Sequence, residues 1–133
     1  MAKKLSRSRI VVKLDTVFSK YIRLSNADKN GYCSCYTCGS KGYWKNDGMD
    51  AGHFMSRKHY STRWDERNVK PQCKHCNMYR NGEQYKFSQI LGDSLSEELY
   101  ILSKKTVKYS NVELNNMAEH YKKLVKELEK MYI

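Results

Sequence analysis

Two C-x-x-C knuckles constrain this chain more than any other feature. They are Cys35-Tyr36-Thr37-Cys38 and Cys73-Lys74-His75-Cys76. A knuckle places two thiolates on one side of a tight turn, and two knuckles complete a tetrahedral four-sulfur site that suits structural Zn²⁺. Between them lie 34 residues, more than a simple zinc ribbon needs, so the metal must clamp an inserted element. Four thiolates leave no open coordination position, so this ion is expected to fold the chain and not to catalyse. A chain of 133 residues makes one domain with a modest core, for which a metal staple is useful. Cys33 is out of step with the first knuckle and reads as a small buried or half-buried thiol. His75, between two ligands, is expected to face solvent or phosphate.

Charge narrows the partner. The chain carries 25 Lys and Arg against 14 Asp and Glu, a net charge of +11, which points to a polyanion. Residues 1–90 hold 18 basic and 7 acidic side chains, and residues 91–133 hold 7 of each. The first two thirds therefore read as the nucleic-acid face, with a basic surface kept for solubility as the bland alternative. No apolar run approaches the roughly 20 residues of a membrane helix. The basic stretch 1–9 lacks the apolar core of a secretory signal. A cytoplasmic, reducing setting is expected, where cysteines are metal ligands before they are disulfides.

Hydrophobic periodicity organises the chain into three parts. Residues 1–9 read as a disordered basic arm. Residues 10–92 form a helix plus a zinc-stapled unit: Leu14, Val17, Phe18, Tyr21 and Ile22 recur at helical steps over 10–25, residues 32–76 read as loops and small strands, and a helix is expected from Asn77 to about Leu91, weakened by Asn81-Gly82. Residues 93–133 are helical. Ser94-Leu95-Ser96-Glu97 and Ser110-Asn111-Val112-Glu113 both fit the capping box and should open helices. In the second, Leu114, Met117, Tyr121, Leu124, Leu128 and Met131 make a heptad-spaced stripe, widened by Val125 and Tyr132. It either packs on its own domain or joins two copies in a homodimer. The expected fold is a small α+β domain.

The residues between the knuckles carry the chemistry: Met49-Asp50-Ala51-Gly52-His53-Phe54, Trp64-Asp65-Glu66-Arg67-Asn68-Val69 and Gln72-Cys73-Lys74-His75-Cys76-Asn77. His53, Asn68 fifteen residues on and five before the second knuckle, and Asn77 directly after it together resemble the HNH (His-Me finger, ββα-metal) nuclease motif. Over residues 14–90 the ordered set Phe18-Ser19, Tyr21-Ile22-Arg23, Cys35/Cys38-Gly39, Ala51-Gly52-His53-Phe54, Asp65-Glu66-Arg67-Asn68, Gln72-Cys73, Cys76-Asn77 and Gly82 resembles the phage NinG (Rap) recombination proteins. The resemblance implies a zinc-stapled ββα-metal unit flanked by N- and C-terminal helices. It also implies a phage-encoded nuclease that acts on branched DNA such as Holliday junctions and D-loops, with recombination proteins among its partners.

The reaction can be framed from the residues. Phosphodiester hydrolysis needs an activated water, and histidine is the side chain whose ordinary pKa lies near neutrality. His53 is the expected general base. Mg²⁺ or Mn²⁺ would be the second metal, with Asn77 offering an amide oxygen and Asp50 a carboxylate. The HNH resemblance gives Asn68 a positioning role, its amide bridging backbone groups of the loop carrying His53 and so fixing the ring's orientation. One departure stands out: many HNH enzymes carry Asp or His directly before the catalytic histidine, and here that place is Gly52. Asp50 reaches the metal if the strand is bulged at Ala51-Gly52; otherwise Asn77, a carbonyl and waters must suffice.

Arg57, Lys58, Arg63, Arg67, Lys70, Lys74 and Arg80 are expected to meet phosphates. Tyr60, Trp64 and Tyr79 are available to stack on bases, with packing around the zinc as the alternative, favoured for Trp64. His59 reads as a surface or phosphate contact, and Asp65 as turn-capping or Arg-pairing. Two rival functions stay open: an HNH nickase of plain duplex, and a zinc-dependent DNA-binding module without catalysis.

Overall fold

Helix α1 begins where a side chain can cap it. The Ser6 hydroxyl accepts from the Arg9 backbone N–H, satisfying one of the four orphan donors of α1, which runs Arg7–Ser25. The computed structural model describes residues 5–45 and 48–132. The expected basic arm over 1–9 is thus corrected at its end, because residues 7–9 are helix; residues 1–4 lie outside the described residues. Ile10, Leu14, Phe18 and Ile22 line the buried face of α1.

That face packs on α5, Asn111–Glu129. The two helices run parallel: Arg7 donates to Asn111, Lys13 pairs with Glu119 and Lys20 with Glu129. Phe18 meets Tyr121 edge-on at 4.9 Å, and Trp64 and Val69 complete this core. The capping box at Ser110 forms as expected, with Ser110 Oγ accepting from Glu113 N and Glu113 reaching back to Ser110 N. The buried seam of α5 is Leu114, Ala118, Tyr121 and Val125, with Met117, Leu124 and Leu128 of the expected stripe packed at its edges; of that stripe Met131 is exposed. The α5 stripe packs on its own domain against α1, the first of the two expected alternatives.

Two antiparallel hairpins follow α1. Strands β1 (Tyr32–Ser34) and β2 (Lys41–Tyr43) pair around the first knuckle. Strands β3 (Met49–His53) and β4 (Val69–Cys73) pair in register from Met49↔Cys73 to His53↔Val69. The ladder is regular, so the bulge considered at Ala51-Gly52 is absent. The connection between β3 and β4 holds a short helix, α2, Tyr60–Arg63.

Past β4 the chain enters a π-helical turn, His75–Tyr79. Asn81 and Glu83 then take left-handed conformations, and α3 runs Gln84–Leu91. The helix expected over 77–91 is interrupted at the Asn81-Gly82 step, which the sequence marks as weakening or interrupting it. Helix α4, Asp93–Ser103, starts after Gly92 with no side-chain cap. The Ser94 capping box does not form, because Ser94 already lies inside the first turn, one residue past the true N-terminus. Phe54, Phe87 and Leu99 make a separate small core that joins α3 and α4 to the hairpin. Among the described residues no helix is long and apolar enough to cross a membrane.

Candidate metal centre and active cleft

The four knuckle sulfurs, of Cys35, Cys38, Cys73 and Cys76, lie within 4.8 Å of one another. Hairpin geometry brings them together. Cys35 N donates to Ser40 O and Gly39 N to Cys35 O, which closes the first knuckle; Cys76 N points at Cys73 Sγ, 3.4 Å away. Burial pushes the Cys35 thiol up, but hydrogen bonds from knuckle N–H groups and the Thr37 hydroxyl outweigh it and bring the thiol down to about 6. Cys38 is also lowered, chiefly by the Ser40 hydroxyl. Metal binding needs thiolates, and this donor set fits a tetrahedral Zn²⁺. The centre would join the β1–β2 turn to the end of β4 and the π-helical turn. Cys33 is buried beside it in a small cluster with Cys35, Met49 and Cys76, and His75 is exposed, accepting from Arg80 Nε; both match expectation.

Beside this centre opens a cleft of about 820 Å³ whose lining includes Asp15, Asp50, Ala51, His53, Arg57 and Asn77. His53 stands at the end of β3, with Nε2 2.9 Å from the Arg63 carbonyl oxygen. A carbonyl only accepts, so Nε2 carries the proton and Nδ1 keeps its lone pair. Burial lowers the His53 pKa below its ordinary 6.5; the Arg63 carbonyl opposes this, and the Arg57 charge adds to the lowering. The ring is therefore neutral at pH 7, in the tautomer of a base.

Asn68 is fully buried. Its Oδ1 accepts from Met55 N at 2.8 Å, and its Nδ2 donates to the carbonyls of Met55 and Thr62 at 3.0 Å. The amide thus ties together the two ends of the loop after His53; His53 itself stands on β3 and not on the loop expected to carry it. Asp50 and Asn77 meet at the cleft: Asn77 Nδ2 donates to Asp50 Oδ2 at 3.0 Å, and Lys74 Nζ donates to Oδ1 at 3.0 Å.

Gly52 is explained by its inner neighbour. A Cβ there would stand 2.0 Å from Gln72 Oε1 and 3.0 Å from Gln72 Cβ. Gln72 is itself fixed, donating to Thr37 Oγ1 and to the Gly82 carbonyl. Position 52 faces this buried amide and not the cleft, so no ligand could act from it.

The basic residues divide. Arg63 is corrected: its side chain is only 15% exposed, paired with Asp15, and it also donates to the Arg57 carbonyl. Trp64 Nε1 donates to the same carboxylate at 2.9 Å. This trio locks α2 to α1 and leaves Arg63 no reach toward a phosphate. Trp64 is core, as favoured, but in the α1–α5 core and not around the zinc. Arg67 is held between Asp65 and Glu98, and Arg80 contacts Glu83. Arg57 is 63% exposed and only loosely near Asp15, at 3.9 Å. Lys58 is exposed, and Lys70 lies over the Tyr36 ring. Tyr79 is 78% exposed, free of the zinc core. Sequence reading passed over Asp15; as a polar residue on an amphipathic helix, it carried no signal of a partner 48 positions away.

The sequence profile described as Bacteriophage Lambda NinG protein matches residues 2–131. The chain belongs to the NinG family. Comparison with curated proteins and with solved structures gave no match. NinG membership covers nearly the whole chain, so the hairpins, the knuckles and both long helices all lie within the family's matched region.

Proposed function

We propose that this NinG-family chain is a metal-dependent DNA endonuclease of the HNH type that cuts branched recombination intermediates. The observation that carries the reading is the convergence of His53, Asp50 and Asn77 on one cleft, with His53 in the tautomer that leaves Nδ1 unprotonated.

His53 Nδ1 takes a proton from a water whose oxygen attacks phosphorus. The bond from phosphorus to the 3′ oxygen breaks, giving a 5′ phosphate and a 3′ hydroxyl. As the ring becomes positive, the Arg63 carbonyl opposite Nε2–H stabilises it and keeps it from rotating. Asn68 positions the ring's surroundings by pinning residues 55 and 62. Arg57, at the rim, meets a phosphate. Asp50 and Asn77 would offer a hard cation one carboxylate and one amide oxygen once Lys74 Nζ and the Asn77 amide N–H, which occupy the two carboxylate oxygens, turn away. Mg²⁺ or Mn²⁺ held there would neutralise charge on the phosphate and the leaving oxygen. Lys74, already on Asp50, tempers that site's negative charge.

The test is cleavage of an end-labelled four-way junction and a matched linear duplex with Mg²⁺ or Mn²⁺, by wild type and His53→Ala. The reading expects preferential junction cutting, lost by about 10²- to 10⁴-fold in the variant while DNA binding persists. Equal cutting of both substrates would replace the junction nuclease by a duplex nickase. Binding without cutting by either protein would leave a zinc-stapled binding module.

A further inference from the structure

A second concavity, of about 370 Å³, lies behind the loop that borders the cleft. It is lined by Lys58, His59, Tyr60, Ser103, Lys104, Lys105, Thr106 and Val107. No carboxylate lines it. Three lysines and an imidazole from two distant stretches of chain meet here: the β3–α2 loop and the segment that follows α4. Ser61 Oγ, donating to the Leu102 carbonyl at 2.7 Å, fastens the two together.

The lysines differ from the cations around the cleft in their company. Arg63, Arg67, Lys74 and Arg80 each hold a carboxylate. Among the described residues no ion pair is formed by Lys58, Lys104 or Lys105; Lys104 lies only over the Tyr100 ring, at 4.9 Å. Like charges gathered at a concave surface raise the folded state's self-repulsion and focus positive potential. Lysines after a helix C-terminus also answer its dipole, but that accounts for Lys104 and Lys105 and not for Lys58, which comes from another element. Consecutive residues connect the two concavities, Arg57 lining the cleft and Lys58 the second pocket. A strand with its cut phosphate in the cleft is thereby adjacent to a second phosphate-binding surface.

We propose that the pocket formed by Lys58, His59, Lys104 and Lys105 binds the DNA phosphate backbone at a second place, away from the scissile bond. The inference rests on the DNA-endonuclease reading and adds to it a surface supplied by the charge-balanced C-terminal third. Backbone contacts of this kind position the substrate without reading its sequence.

The experiment measures binding of a fluorescent four-way junction by the full-length zinc-loaded protein across a salt series. It compares wild type, the triple variant Lys58→Gln/Lys104→Gln/Lys105→Gln, and a control with equal charge loss on the exposed face of α5, Lys122→Gln/Lys123→Gln/Lys126→Gln. Each phosphate contact contributes about 0.9 to the slope of log K against log salt for duplex arms. The pocket variant is expected to lose about two to three units of slope and at least tenfold in affinity, with an unchanged melting curve, while the α5 control keeps the wild-type slope. An unchanged slope in the pocket variant, or equal losses in both variants, overturns the pocket while leaving the nuclease reading intact. A lowered melting midpoint with unchanged binding would make the lysines dipole complements only and overturn it too. A wild type that does not bind DNA overturns both proposals.

Discussion

In the proposed reaction His53 is the general base, and its surroundings would set the pH at which it works. Burial lowers its pKa below 6.5, and the nearby Arg57 charge lowers it further. A base must be unprotonated, so the acid limb of kcat/KM is expected to lie on the acid side of an ordinary histidine's. Replacing Arg57 with Gln removes one lowering influence, so the acid limb should move to higher pH. An initial-rate pH profile of the two proteins checks this, and a limb that does not move would remove Arg57 from the electrostatics of the ring. Gly52 makes a second prediction. A methyl at that position would meet the fixed Gln72 amide, so Gly52→Ala should cost about 1–3 kcal/mol in urea unfolding, the usual range for overpacking. An unchanged midpoint would mean that Gln72 yields. His53 and Asn68 could be found in the sequence because their spacing is fixed relative to the second knuckle. The Arg63–Asp15–Trp64 trio could not, because nothing local distinguishes a buried arginine from one that meets a phosphate. Asn77 is expected beside Asp50 at one cation, but that its amide N–H, with Lys74, would bond the carboxylate was not legible, because the pairing of β3 with β4 sets which groups meet.

At the level of elements, two Ser-x-x-Glu boxes of equal promise behave differently. Ser110 precedes its helix and bonds Glu113 N, while Ser94 falls inside α4, whose start is set one residue earlier by the positive-φ turn at Gly92. A motif alone cannot fix its phase relative to a helix; the preceding turn does. Ser110→Ala should therefore cost about 1 kcal/mol, whereas Ser94→Ala should stay within about 0.5 kcal/mol of wild type. Thermal or urea unfolding of the two variants checks the contrast, and equal losses would refute it. The helices α1 and α5 were legible because amphipathic stripes of this length have few alternatives. Their parallel docking was not legible, since it depends on which of several apolar faces meet. The burial of Ala118 beside the expected Leu114, Tyr121 and Val125 follows from that docking.

Across the whole molecule, the two metals proposed here have separable roles. The buried apolar residues are distributed over four small clusters, and the one around the knuckles contains little beyond sulfur: Cys33, Cys35, Met49 and Cys76, with Cys73 against them. Without an ion, four mutually close sulfurs must carry protons or repel one another, and the β1–β2 hairpin is then held to β4 by a few contacts such as Tyr36 N to the Pro71 carbonyl and Gln72 Nε2 to Thr37 Oγ1. Structural zinc sites in small peptides bind with about 10–16 kcal/mol, whereas a domain is typically stable by about 5–15 kcal/mol. Stripping the thiolate-bound ion should therefore take most or all of the folding free energy. A zinc-selective chelator is expected to release one Zn²⁺ per chain, measured by atomic absorption, with loss of the cooperative thermal transition. Withholding Mg²⁺ or Mn²⁺ should leave the circular dichroism spectrum and the melting curve as they are and stop only DNA cutting, because Asp50 and Asn77 are already joined by their own hydrogen bond. If chelation left the melting curve intact, the hairpins would be held by packing alone. If omitting Mg²⁺ or Mn²⁺ melted the fold, the cleft would belong to the structural framework and not to catalysis.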